Sequence, residues 1–103
     1  MRFIKPINLN EKSFIMDVRL PEERAVEELG LPHVNQDLET LNPLEFVKEN
    51  HIEKNDTINI LCSSGGRASQ AAELFEKAGF NNVAVIIGGL VEAEYEGLPI
   101  IRH

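Results

Sequence analysis

A chain of 103 residues with 43% hydrophobic content can bury one modest core, and residues 1–103 are read as a single domain. The formal net charge of −7 argues against nucleic-acid or anionic-membrane partners. Met1–Pro6 contains no apolar leader-like run, and no apolar stretch reaches membrane-spanning length, so no membrane contact and a cytoplasmic location are expected. The single cysteine excludes an intramolecular disulfide and a CxxC site. His33, His51 and His103 lack ligand spacing, so neither a metal nor a cofactor is expected.

In chain order, Ser13–Val18 is a short apolar run expected as a strand. Pro21–Leu29 reads as a helix, with proline in its first turn, acids near its start and Gly30 as its stop. Val34–Leu41 is ambiguous between a short strand and an irregular loop. Asn42 is a candidate cap for a helix over Pro43–Asn50, with Leu44 and Val47 expected to face inward. Thr57–Leu61 is a buried strand. From Arg67, Ala68, Ala71, Ala72, Phe75 and Ala78 recur at helical spacing as far as Gly79. The β-branched run Val83–Ile87 is a parallel strand by composition. A short helix around Val91–Tyr95 and an extended piece at Leu98–Ile101 follow. Alternating strands and helices with buried strands predict an α/β fold, a mostly parallel central sheet of about five strands with helices on both faces. Ligand sites in such folds lie at the carboxyl ends of strands, where Cys62 falls.

A lone cysteine after a strand is by default a small packing residue. Here it is followed by Ser63, Ser64, Gly65, Gly66 and Arg67, more anion-binding groups than a packing turn needs. Loop amides and the start of the next helix aimed at the sulfur would favour a thiolate and hold an anion beside it, which makes Cys62 a candidate nucleophile. Ser63, Ser64 and Ser69 are open to two readings, as donors to a bound oxyanion or as turn and cap residues. Asp17 and Arg19, at the end of the first strand, should lie near this loop as structural support, either as an ion pair or bonded to loop backbone. The acids Glu22, Glu23, Glu27 and Glu28 read as a solvated helix face. His33 and His51 have no partner identifiable in the sequence and receive no catalytic role.

From Phe14 to Pro99 the chain resembles the rhodanese superfamily of single-domain sulfurtransferases. The matching landmarks are Asp17-Val18-Arg19 with Pro21 and Glu23, the loop Cys62–Arg67 with Ala68-Ser69, Ala71-Ala72 and Leu74, Ala78-Gly79-Phe80 and Val83, Gly88-Gly89, and Gly97-Leu98-Pro99. The resemblance implies that Cys62 accepts a sulfane sulfur as a persulfide. The donor would be thiosulfate or a persulfide-carrying protein, and the acceptor an external thiol or cyanide. By the same resemblance the loop amides cradle the sulfur, and Arg67 orients the loop and offsets charge.

Cys62 to Arg67 is C-x4-R, whereas related phosphatases and arsenate reductases carry C-x5-R; position 68 here is Ala, which disfavours phosphatase chemistry. There are three departures from the family pattern. Glu28–Asn35 replaces a Gly-His-Ile-Pro-Gly-Ala-like stretch, Tyr95 stands where a Trp is usual and is expected to fill much of the same space, and Ser63 stands where many members have a basic residue. The last leaves Arg67 as the loop's only formal cation. An alternative function is therefore a catalytically weak anion- or protein-binding module.

Overall fold

The computed structural model describes residues 1–64 and 66–103. Among these, the elements are β1 (Arg2–Ile4), β2 (Ile15–Asp17), α1 (Pro21–Val26), β3 (Glu27–Leu29), β4 (Val34–Asn35), α2 (Pro43–Glu49), β5 (Ile58–Leu61), α3 (Gly66–Lys77), β6 (Val83–Ile86), α4 (Gly89–Tyr95) and β7 (Ile100–Arg102), with 3-10 turns at Pro6–Asn8 and Leu38–Thr40. Five strands form an all-parallel sheet in the order β1-β6-β5-β2-β4. The expected α/β architecture is the one observed. β5 at its centre and β6 beside it are buried along their whole length; β6 is an unbroken apolar run, while β5 carries a buried Asn59 whose side-chain amide donates to the Phe14 carbonyl at 3.0 Å.

Alternation along β5 divides the core. Ile58, Ile60 and Cys62 face a cluster with Phe46 of α2 and Ala68, Ala71, Ala72 and Phe75 of α3. Leu61 faces the opposite cluster with Leu29, Ile86, Leu90 and Ala93. The small alanines at i, i+3 and i+4 bring α3 close to the sheet. Phe14, Phe46, Phe75 and Phe80 form an edge-to-face series with ring centroids 6.0, 5.9 and 6.2 Å apart. Phe14 and Phe80 precede β2 and β6, so this series lies toward the end of the sheet away from Cys62.

Three expectations are corrected and one strand is added. The helix expected over Pro21–Leu29 stops at Val26, and Glu27–Leu29 instead pairs antiparallel with Ile100–Arg102 as a separate two-stranded sheet. β1, which was not expected, is a short edge strand on β6. In α2 the inward residue is Phe46, with Val47 packed against the core, while Leu44 is exposed. Tyr95 is 85% exposed and fills no core space. The expected cap on α2 is present, with Asn42 Oδ1 accepting from the Glu45 amide at 3.2 Å. Val34–Leu41, left ambiguous by sequence, contains β4 and a 3-10 turn.

Candidate active site

β5 delivers Cys62 to the carboxyl end of the sheet, and α3 begins four residues later at Gly66. Cys62 is 1% exposed and packs with Ile60 and Ala68. Its backbone is held from two sides. The Val18 amide donates to the Leu61 carbonyl at 2.8 Å, and the Leu90 amide donates to the Cys62 carbonyl at 2.9 Å. The Val91 amide reaches the Ser63 carbonyl at 3.4 Å.

The turn that allows this contact is Gly88-Gly89, with φ of 73° and 61°. A Cβ on Gly89 would lie 2.2 Å from the Cys62 carbonyl oxygen, so only glycine lets the start of α4 rest on the loop.

The loop's cation is already engaged. Arg67 Nη1 donates to Glu23 Oε1 at 2.6 Å, and Nη2 donates to Glu23 Oε2 at 3.0 Å, a bidentate pair between α3 and α1. The Ser63 hydroxyl donates to Glu23 Oε2 and accepts from Arg67 Nη2 at 3.2 Å. Glu23 also accepts from the Leu20 amide at 2.8 Å, which caps α1 and fixes the carboxylate's direction. The Arg67 guanidinium is the main reason the Glu23 carboxyl is lowered from 4.5 to about 2, with Ser63 and the Leu20 amide assisting against partial burial. Reciprocally, Glu23 raises the Arg67 pKa.

Asp17 and Arg19 form a second pair one strand away. Asp17 Oδ1 accepts from the Arg19 amide at 2.8 Å, and Arg19 Nε lies 3.2 and 3.1 Å from the two carboxylate oxygens. Arg19 Nη2 donates to the Glu27 carbonyl at 2.9 Å, tying β2 to β3. Both side chains are buried, so of the two roles open from sequence the ion pair is the one formed.

Cys62, Ser63 and Arg67 thus come together with Asp17 and Arg19 beneath them. Ser64 and Gly66 are exposed at the rim, and the expected Gly65 lies outside the described residues. Glu23 is the site residue that sequence reasoning missed. Of the four acids expected on a solvated helix face, Glu22 is exposed on α1 as expected, whereas Glu23 is bound to Arg67 and Ser63. Glu27 and Glu28 lie on β3, and the Glu28 carboxyl is lowered by hydrogen bonds with His103 and then His33. The landmark spacing Asp17-Val18-Arg19 to Glu23 was the signal available for Glu23.

Beside the loop, between α1 and α4, lies an open groove of about 330 Å³ lined by Arg19 and Ser63, by Glu22, Glu23 and Val26 of α1 with Glu27, and by Leu90 and Val91 of α4. No group of three or more His, Cys, Asp or Glu that could hold a metal occurs among the described residues. No described helix is long and apolar enough to cross a membrane.

Residues 5–95 match the rhodanese-like domain family. The chain is 34% identical over 92 residues to "Thiosulfate sulfurtransferase 16, chloroplastic" of Arabidopsis thaliana, an alignment covering 82% of this chain and 76% of that protein. It is 32% identical over 91 residues to "Putative sulfur carrier protein YrkF" of Bacillus subtilis, covering 85% of this chain and 45% of YrkF, so it spans under half of that relative. The crystal structure of a rhodanese-related protein from Thermoplasma volcanium superimposes with a TM-score of 0.77 at 25% identity, covering 98% of each chain. With the cysteine loop at the carboxyl end of a parallel sheet and a family match over most of its length, the chain belongs to the rhodanese-like domain family.

Proposed function

We propose that the protein is a sulfurtransferase that carries sulfane sulfur as a persulfide on Cys62. The observation that carries this reading is the loop itself. The one cysteine ends a central strand, its carbonyl is fixed by the Leu90 amide, and a C-x4-R segment leads directly into α3.

In the first step the Cys62 thiolate attacks the outer sulfur of a donor. The new S–S bond forms as the donor bond breaks and its electron pair leaves with sulfite, if the donor is thiosulfate, or with a thiolate, if it is a protein persulfide. In the second step an acceptor thiolate or cyanide attacks the outer sulfur and Cys62 leaves as thiolate. No other oxidant or reductant is needed. Ser63, Ser64, Gly65, Gly66 and Arg67 form the cradle in this reading, and Glu23 holds Arg67 in place across the loop.

One observation favours a second reading, a weakly turning-over binding module: the only loop cation is neutralised by Glu23 rather than turned toward a donor. Intact mass spectrometry after incubation with thiosulfate, and separately with a low-molecular-weight persulfide, distinguishes the two. Gain of one sulfur atom by the protein but not by Cys62→Ser, whose circular dichroism is retained, is the expected result. No gain from either donor would leave the binding module as the function.

A further inference from the structure

The groove between α1 and α4 has a charge balance that the loop alone does not reveal. Around it, Arg19 is matched by Asp17 and Arg67 by Glu23. Arg102 is shared between Glu27, at 3.3 Å, and Glu94. Glu22 has no hydrogen-bond or ion-pair partner among the described residues. Each of these three arginines is therefore spent on a carboxylate, and carboxylate charge is left over at Glu22, in a chain whose net charge is −7.

The walls between these charges are apolar and open, with Val26 64% and Val91 70% exposed. A volume of about 330 Å³ is also far more than cyanide or thiosulfate would occupy. Such a surface complements a side chain with an apolar stem and a positive end, and Ser63, which lines it, is the residue next to the nucleophile.

Resting on the persulfide reading of Cys62, we propose that this groove seats the second substrate, a polypeptide segment that carries the acceptor cysteine with a lysine or arginine beside it. The cationic side chain lies along Val26 and Val91 toward Glu22, and its neighbour's thiolate meets the outer sulfur. The acceptor S–S bond forms as the Cys62–sulfur bond breaks, and Cys62 regains the electron pair as thiolate. The acceptor leaves as a persulfide.

The test uses the full chain, first loaded with one sulfur on Cys62 and verified by mass. Transfer rates are then measured at low ionic strength to three thiols of similar size, cationic cysteamine, neutral mercaptoethanol and anionic mercaptoethanesulfonate. Each rate is divided by that thiol's rate with dipyridyl disulfide, which removes its own nucleophilicity. Single-cysteine peptides flanked by lysine or by glutamate extend the series.

The expected normalised order is cation, neutral, anion, with roughly a tenfold span that shrinks as salt is added. Glu22→Gln should reduce the ratio of cationic to anionic rates several-fold, and Val91→Lys should reverse it. Because the ratio is read on one loaded preparation, a general loss of activity does not imitate either change. A flat or reversed order in a protein that loads normally would overturn the docking proposal and leave the sulfurtransferase reading standing. Failure of Cys62 to load from any donor would overturn both. If a second copy of the chain were the occupant, a concentration-dependent dimer abolished by Val91→Lys would appear in sedimentation, and that result too would overturn the proposal.

Discussion

Two arginine–carboxylate pairs lie close together at the carboxyl end of the sheet and do different work. Asp17–Arg19 is fully enclosed, with side-chain exposures of 0% and 2%, and its remaining hydrogen-bonding groups are met by the Arg19 amide and the Glu27 carbonyl. Glu23–Arg67 is bidentate but 29% exposed on both sides. A charge stranded in the interior has no water to solvate it, so the first pair is costly to break. Water compensates most of what the second would lose. What distinguishes the second pair is its position: it decides what charge the cysteine loop presents.

The strongest way to break this contrast is Asp17→Asn. It leaves Arg19 buried without a counter-charge and should destabilise the fold by about 3–5 kcal/mol. Urea unfolding reads this directly, and a loss below about 1 kcal/mol would mean that the buried pair is no more structural than the exposed one.

Gly89→Ala probes the support between the two pairs. Its methyl would collide with the Cys62 carbonyl in a backbone conformation unfavourable to alanine, so the loop must move. Persulfide formation should fall at least about tenfold, by analogy with the cost of small misplacements at a reacting centre. Stability should fall by at least about 1–2 kcal/mol, the cost of the left-handed backbone before the collision with the loop is added. Wild-type loading kinetics in this variant would show that α4 does not position the loop.

Glu23→Gln sharpens the comparison from the other side. Stability should change by no more than about 1 kcal/mol. Freed of its counter-charge, Arg67 should lower the KM for thiosulfate several-fold while kcat changes less, since the added field acts on bound dianion and transition state together. A raised KM would instead make Glu23 an orienting group whose removal disorders Arg67.

The smallest effect is the acid response of the same pair. Glu23 titrates near 2 when folded, below its ordinary 4.5, so its contribution is complete above about pH 4.5 and is lost as the pH falls through 2. Solvent at this partly open site limits the contribution to about 1 kcal/mol. The difference in stability between wild type and Glu23→Gln should therefore be constant from neutral pH to about 5 and vanish near 2. A difference that changed between pH 6 and 8 would assign the titration to another group.

The pattern of success from sequence follows the range of the interactions. Cys62 and its loop were legible because a strand, a Gly-containing turn and a helix start are all local signals, and because β6 is continuously apolar and β5 is apolar except for Asn59. Glu27–Leu29 was not legible as a strand. Three residues that extend a helical pattern become β3 only through pairing with Ile100–Arg102, far along the chain. Arg2–Ile4 is too short and too exposed to carry an alternation, and it is a strand only because β6 offers it an edge. Glu23 was hidden for the same reason. An acid in the first turn of a helix is satisfied by the helix dipole in any sequence, while its real partner, Arg67, lies 44 residues away. Leu44 was mistaken for an inward residue because the short α2 gives too few turns to fix which face is apolar.

The pairing of β3 with β7 also orders events in time. α1 carries Glu23 and runs straight into β3, whose antiparallel partner and the His103–Glu28 contact lie up to 75 residues downstream. During synthesis the cysteine loop and the central strands emerge and can collapse together while this clasp is still missing. The helix that neutralises Arg67 is by then tied by Arg19 to the Glu27 carbonyl and by Arg24 to Asp37, and lacks only the β7 side of its support. The charge-balanced loop can therefore form as soon as Arg67 has emerged, and the closing of β7 on β3 is a later step that locks the β3 side of the domain onto a core already in place.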